Sequence, residues 1–201
     1  MKNENIIRII GGVHRSRKLP VLSLDGLRPT SDRMKETIFN WLQFDIINSR
    51  CLDLFAGTGS LGIEALSRGA QFVDFVEINQ AAASQISLNI KNLSLTDQAQ
   101  IHCMGALDFL KQAANHHEMM PYDIIFIDPP FSLKLHQTII DELVENVLLN
   151  SSINNQLINN NSFLIIEQPV LDFSFQLPKQ FSCEKQYSTR YSKIQLVKIN
   201  V

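Results

Sequence analysis

Apolar positions follow two rhythms along this chain. Short apolar, partly β-branched runs at 51–55, 72–77, 100–103, 122–127 and 163–167 alternate with segments at 60–68, 80–93, 106–115 and 135–149, where apolar residues recur every three or four positions. In the last segment Leu135, Ile139, Leu143 and Val147 form one stripe. Runs that are apolar throughout suit strands covered on both faces, and their alternation with helices predicts βα units on a parallel sheet. After residue 167 the rhythm changes. Segments 181–187 and 194–199 read as strands joined by a turn at 188–193, so the sheet is expected to end antiparallel. The first 45 residues read as a separate piece: strands at 6–10 and 19–24 around a turn at 11–18, then a helix over 31–44 capped by Thr30 or Ser31. The helix stripe Met34, Ile38, Trp41 and Leu42 predicts packing on the main sheet, with Trp41 in the core. Segment 150–161, rich in Asn and Ser, reads as an exposed loop.

Composition is that of an ordinary globular chain: 201 residues, 45% hydrophobic and 19% charged. No apolar run approaches the roughly 20 residues that span a bilayer, and the first residues lack a signal-peptide pattern, so a cytoplasmic protein is expected. Cys51, Cys103 and Cys183 are widely spaced and show neither a disulfide framework nor a zinc pattern; all three read as buried, reduced thiols. The net charge of −2 hides an asymmetry. Residues 1–35 carry eight basic side chains against Glu4, Asp25 and Asp32, a net +5, which leaves −7 on residues 36–201. A basic lead-in on an acidic body can hold a phosphate backbone near a site, although a solvated basic terminus has the same composition.

Chemistry concentrates at three places. In LDLFAGTGSLG, residues 52–62, an apolar strand runs into Gly57-x-Gly59-x-x-Gly62 and then a helix, a pattern that lets a ligand approach the backbone. Glu77 ends the next strand about 20 residues later, where an acid can accept bonds from ribose hydroxyls. Asp53, at the strand mouth, either faces a ligand's ammonium group or caps the turn. The third place is Asp128-Pro129-Pro130-Phe131, directly after the apolar run YDIIFI. The prolines stiffen the backbone so that the Asp128 carboxylate and the Pro129 carbonyl project as two acceptors, matching the two donors of an exocyclic NH2, and Phe131 offers a face on which a flipped base can stack. The glycine loop and Glu77 alone leave a dinucleotide and a methyl donor both open.

The Asp-Pro-Pro-Phe motif with the FAGTG glycines resembles the amino-methyltransferases that modify exocyclic amines of bases. RIIGGVHRSRKLP followed by LRPTSDRMKETIFNWL, residues 8–20 and 27–42, is similar to the RsmD family of bacterial 16S ribosomal RNA guanine-N2 methyltransferases, and Arg190-Tyr191 also fits. The resemblance implies an α/β, Rossmann-like class I S-adenosylmethionine-dependent methyltransferase with a seven-stranded mixed sheet and an antiparallel last strand. It also implies a small N-terminal hairpin and helix that bind RNA over 1–45, with the methyltransferase domain over 46–201. Carried onto this chain, it implies Asp128, Pro129, Pro130 and Phe131 as catalytic. Donor contacts follow from Thr30, Asp53, Phe55, Ala56, Gly57, Thr58, Gly59, Glu77, Ile78, Gly105, Ala106 and Asp128, and RNA contacts from Arg8, Arg15, Arg17, Lys18, Arg28 and Arg33. Gly105 stands where relatives often carry Asp or Asn, and Ser192 where a glycine is common; Gly105 removes a side-chain contact to the adenine.

The reaction expected is in-line transfer from S-adenosylmethionine to guanine N2 of 16S ribosomal RNA, in the small subunit or an assembly intermediate, yielding S-adenosylhomocysteine. Orientation assists the transfer, and no metal is needed: His14, His102, His116, His117 and His136 form no metal pattern. A monomer is the expected state. Three other readings stay open: a DNA adenine-N6 methyltransferase, a non-catalytic assembly factor that keeps a donor pocket, and a nicotinamide oxidoreductase, which the Asp128–Phe131 motif and the tail disfavour.

Overall fold

In the computed structural model, which describes residues 5–22, 30–114, 120–149, 157–171 and 175–200, the chain forms two compact units, Met1–Ala106 and Leu107–Val201. The first unit opens with an antiparallel pair, β1 (Asn5–Arg8) and β2 (Lys18–Val21). Helix α1 (Asp32–Trp41) follows; the Ser31 hydroxyl accepts from the Met34 N–H and so caps it. The helix stops at Trp41, short of the expected residue 44: Leu42 leaves the helical conformation at φ −92°, ψ 8°, and both it and Ile46 are buried. Trp41 itself is half-buried, which corrects the core assignment.

The parallel βα units appear as the periodicity predicts. Strands β3 (Arg50–Asp53), β4 (Phe72–Val76) and β5 (Ala99–His102) pair in parallel. Helices α2 (Ser60–Ser67) and α3 (Gln80–Asn92) connect them, and α4 (Ala106–Ala114) follows. The Asp74 carboxylate on β4, buried, lies 2.8 Å from an Arg50 guanidinium nitrogen on β3 and 2.7 Å from His102 Nε2 on β5. One buried acid thus ties three strands through polar contacts that offset its desolvation.

In the second unit β6 (Ile124–Ile127) and β7 (Phe163–Pro169) are parallel, with α5 (His136–Leu149) between them. Strand β9 (Ser192–Ile199) runs antiparallel both to β7 and to β8 (Phe181–Ser188). Apart from the N-terminal pair, the strands make a seven-stranded mixed sheet in the order β5-β4-β3-β6-β7-β9-β8. No helix among the described residues is long and apolar enough to cross a membrane.

Three local expectations are corrected. Only Cys51 is buried; Cys103 lies beyond the end of β5 and Cys183 at a bulge on the outermost strand β8, so both are exposed. The Asn-rich stretch is not exposed throughout: Leu157 and Ile158 are buried, and the Leu157 carbonyl accepts the Tyr122 N–H at 2.8 Å. Residues 150–156 of that stretch, and His116 and His117, lie outside the described residues.

The N-terminal segment is fastened to the C-terminal end of α2. The buried Glu64 carboxylate accepts from the Ile10 N–H and from Arg68 Nε, Ser67 Oγ donates to the Gly11 carbonyl, and the Ser67 carbonyl accepts the Val13 N–H. Gly12 has φ +74°, and a Cβ there would sit 1.7 Å from the Ser67 carbonyl oxygen. Left-handed backbone and overpacking together put Gly12→Ala at about 2 kcal/mol or more of lost stability, roughly 4–8 °C in Tm for a chain of this size. Gly11→Ala is expected to be milder, since the backbone there is not left-handed and the atoms nearest its Cβ belong to the Arg68 guanidinium, a side-chain end rather than backbone. Thermal melts of both variants check this, and an unchanged Tm for Gly12→Ala would show that the turn is not docked on α2.

Candidate active site

Strand β3 ends at Asp53 and α2 begins at Ser60, so six residues reverse the chain. Gly57 and Gly59 take the turn at φ +54° and +75°, a conformation that costs other residues energy. Having no side chain, Gly59 cannot cap the helix that it starts. Asp53 does so instead: its carboxylate accepts the Gly62 N–H at 2.9 Å, one of the amides a helix leaves without an internal partner. Gly62 must also be small, since a Cβ there would come within 2.2 Å of the Phe75 ring on β4.

Asp53 is 3% exposed, and burial pushes its carboxyl up to about 7; the Gly62 bond opposes this and the charge of Glu77 adds to it. Of its two expected roles, the geometry supplies the cap. Glu77, just past β4, grips the loop from the other side. One carboxylate oxygen accepts the Gly57 N–H and the other the Asn79 N–H, each at 2.7 Å. The Asn79 side chain accepts from the Ala81 and Ala82 N–H groups and caps α3. Beside Glu77, Ile78 is 76% exposed. A pocket on this loop is lined by Val21, Leu22, Gly57, Thr58, Ala82 and Gln85.

Of the other expected donor contacts, Phe55 and Thr30 are half-buried, and Ala56 is buried, with its N–H on the Val76 carbonyl. Gly105 directly precedes α4 and Ala106 is its first residue. Sequence reasoning did not find Val21, Leu22, Ala82 and Gln85. The α3 residues follow the Asn79 cap, a usable signal, but nothing local marks Val21 and Leu22: β2 reaches α3 only through tertiary packing, where Asn89 Nδ2 donates to the Pro20 carbonyl at 3.0 Å.

In the second unit Asp128 follows the fully buried strand β6 directly and is itself half-buried. Pro129 is buried, Pro130 exposed, and Phe131 is 37% exposed at the start of a 3-10 turn, Phe131–Leu133, closed by the Leu133 N–H on the Pro130 carbonyl. The motif therefore stands at the carboxyl end of a rigid strand, the place where open α/β sheets bind ligands.

The basic residues divide. Both Nε and a terminal nitrogen of Arg8 donate to Asp32, at 3.0 and 2.7 Å, and the buried Lys35 ammonium donates to the Arg8 carbonyl. Burial would raise the Asp32 carboxyl, but Arg8 and Lys35 hold it below the usual range. Arg8 thus serves the joint between β1 and α1. Arg17 reaches the Asn92 carbonyl only at 3.4 Å, and Arg15, Lys18 and Arg33 are exposed; Arg28 lies outside the described residues.

The Asp53 geometry has a pH signature. The folded chain keeps this carboxyl protonated up to about 7, whereas an unfolded chain releases the proton near its ordinary 3.8. The stability it contributes is therefore full below about pH 4 and is lost as pH rises through 7. Asp53→Asn stays neutral and can still accept the Gly62 N–H. Relative to wild type it is expected to gain stability from about pH 4 to 7 and no further above that. Thermal melts of the two proteins across this window check it, and a flat difference refutes the assignment.

The family described as conserved hypothetical protein 95 matches residues 7–198. A Haemophilus influenzae protein named ribosomal RNA small subunit methyltransferase D is 50% identical over 141 residues, 70% of this chain and 72% of that one. The protein of the same name from Buchnera aphidicola subsp. Acyrthosiphon pisum is 40% identical over 188 residues, 94% of this chain and 90% of its own. Among solved structures, yhhF of Escherichia coli superposes with a TM-score of 0.82 at 32% identity, covering 98% of this chain and 99% of the other. An O-methyltransferase from Bacillus cereus in complex with SAH, at 16% identity and TM-score 0.67 over 86% of this chain and 83% of its own, shares the fold. Matched along nearly its whole length, with 40% identity sustained over 94% of its residues, the chain belongs to the RsmD family.

Proposed function

We propose that this chain transfers the methyl group of S-adenosylmethionine to the exocyclic N2 of a guanine in 16S RNA of the small ribosomal subunit or its assembly intermediate. The observation that carries the reading is Asp128-Pro129-Pro130-Phe131 at the carboxyl end of β6, with a partly exposed aromatic ring next to a carboxylate held at a strand end. The names of the family relatives support ribosomal RNA as the substrate class.

The residues of the glycine loop fit the donor. Gly57 and Gly59 leave the backbone open to close approach, and Ile78 presents an exposed apolar face suited to a purine. Each Glu77 oxygen keeps lone pairs beyond its one backbone bond, available to ribose hydroxyls. Asp53 shapes the loop through Gly62 rather than touching the ligand. S-adenosylmethionine, when bound, supplies a methyl group already activated by its sulfonium. The protein's part is orientation: the Asp128 carboxylate and the Pro129 carbonyl hold the two amine hydrogens, Phe131 stacks on the extruded base, and Asp128 takes the proton once methylation has made the nitrogen acidic. The N-terminal extension over 1–45 binds the RNA backbone through Arg15, Arg17, Lys18, Arg28 and Arg33, with Arg8 assigned to the fold instead.

Two outcomes follow. Losing an oriented charged contact made in the transition state costs on the order of 3–4 kcal/mol, so Asp128→Ala should lower kcat by about 10²–10³-fold while calorimetric affinity for S-adenosylmethionine is largely spared. Wild-type turnover in this variant would make the motif structural. Changing Arg15, Arg17 and Lys18 together to Ala should weaken RNA binding and flatten its salt dependence by up to about one log–log unit per lost phosphate contact, leaving donor affinity and Tm unaltered. Mass mapping of small-subunit RNA treated with the pure protein and donor identifies the methylated base, and a product on adenine or on DNA alone would overturn the guanine-N2 assignment.

A further inference from the structure

The hairpin between β8 and β9 carries an exposed aromatic residue on a turn held in place by five hydrogen-bond contacts. The Thr189 hydroxyl accepts the N–H of Tyr191 at 3.2 Å and of Ser192 at 3.0 Å. The Ser192 carbonyl in turn accepts the Thr189 N–H at 2.8 Å and the Thr189 hydroxyl at 3.0 Å. The Val170 N–H donates to the Tyr191 carbonyl, joining the turn to the end of β7. Ser192 needs no left-handed backbone here, so its replacing a glycine leaves the turn intact. On this fixed frame the Tyr191 side chain is 65% exposed, the Arg190 guanidinium lies 5.5 Å over its ring, and Leu171 beside it is 76% exposed.

Position gives these exposed groups a meaning. Strand β6 ends at Ile127, level with Ile166 of β7; β7 continues three residues to Pro169, which pairs with Ser192 at the base of the turn. Strand spacing and rise place the turn about 10 Å sideways from the end of β6 and about 10 Å farther out, on the same carboxyl edge as Asp128–Phe131. A single exposed tyrosine needs no explanation in general. A preorganised ring under a guanidinium, on the edge that carries the Asp-Pro-Pro-Phe motif, has the composition of a single-strand nucleotide subsite: an aromatic face for a base and a cation for its phosphate.

We propose that Tyr191 and Arg190 form a second RNA subsite, where the base of a nucleotide flanking the target stacks on Tyr191 and Arg190 binds the adjoining phosphate. The subsite rests on the reading that Asp128–Phe131 receive a base of RNA. It sets how the strand enters the site, so it acts on RNA affinity and KM rather than on kcat. The ring matters and the hydroxyl does not.

The test compares Tyr191→Phe, Tyr191→Leu, Tyr191→Ala and Arg190→Gln with wild type. Readouts are the Kd for a short labelled single-stranded RNA, KM and kcat on small-subunit particles and on protein-free small-subunit RNA, donor Kd and Tm. Loss of one stacked base should raise Kd and KM about tenfold or more for the Leu and Ala variants, with the Phe variant within about twofold. Arg190→Gln should flatten the salt dependence of RNA binding by up to about 0.7 log–log unit. Donor Kd, kcat and Tm stay at wild-type values. Unchanged RNA Kd in the Leu and Ala variants overturns the inference. So does a defect confined to assembled particles, which would make the turn a contact for ribosomal protein. If the variants lose RNA binding but even wild type methylates no RNA, the subsite stands and the proposed reaction falls.

Discussion

Between Asp53 and Ser60 the chain must leave a buried strand, turn back within six residues and start a helix, all while keeping its backbone accessible. Glycine makes the turn possible but supplies no side chain to hold it. Two carboxylates from outside the turn hold it instead, Asp53 on the Gly62 N–H and Glu77 on the Gly57 and Asn79 N–H groups. Because Glu77 directly follows β4 and Asn79 caps α3, the same bonds register loop, strand and second helix against one another. The cost is a buried acid, Asp53, whose proton is retained up to about pH 7.

The other end of α2 carries the N-terminal segment. Glu64, Ser67 and Arg68 meet Ile10, Gly11 and Val13, and Arg68 also lies 5.0 Å over the Phe39 ring of α1. One helix thus has the glycine loop at its first turn and the N-terminal extension at its last. A basic hairpin held this way presents Arg15 and Lys18 from a fixed frame, so less ordering is needed for the RNA contact proposed for it. Arg8 and Lys35, basic in composition, hold that frame together through Asp32.

The second unit separates support from display in the same manner. Strand β6 is buried along its whole length, and α5 is anchored to β7 by the buried His136, whose Nε2 lies 2.7 Å from the Glu167 carbonyl. What stands at the carboxyl ends of these strands is stiff: two prolines after β6, of which Pro130 is exposed, and the hydrogen-bonded β8–β9 turn beside the end of β7. Under the proposed function, that stiffness lets a carboxylate or a ring meet a flexible RNA strand without first losing conformational freedom of its own.

Much of this was legible in the residues alone. Periodicity located the strands and helices of the βα units, because a strand buried on both faces and a helix buried on one leave different apolar spacings. The glycine turn and the Asp128–Phe131 stretch were readable as features because glycines or prolines directly after an apolar strand are neighbours along the chain, whereas the Glu77 bond to Gly57 spans 20 positions. The partners of Asp53, Arg8, Gly12 and Tyr191 were not. Asp53 bonds to a residue nine positions on, Arg8 to one 24 positions on, and Ser67 reaches back 56 positions to Gly11. Apolar spacing says which face of an element is covered, not what covers it. Whether a charge binds a ligand or caps a helix, and whether an aromatic ring is core or display, depends on which surfaces meet when those elements pack, and only the tertiary structure decides that.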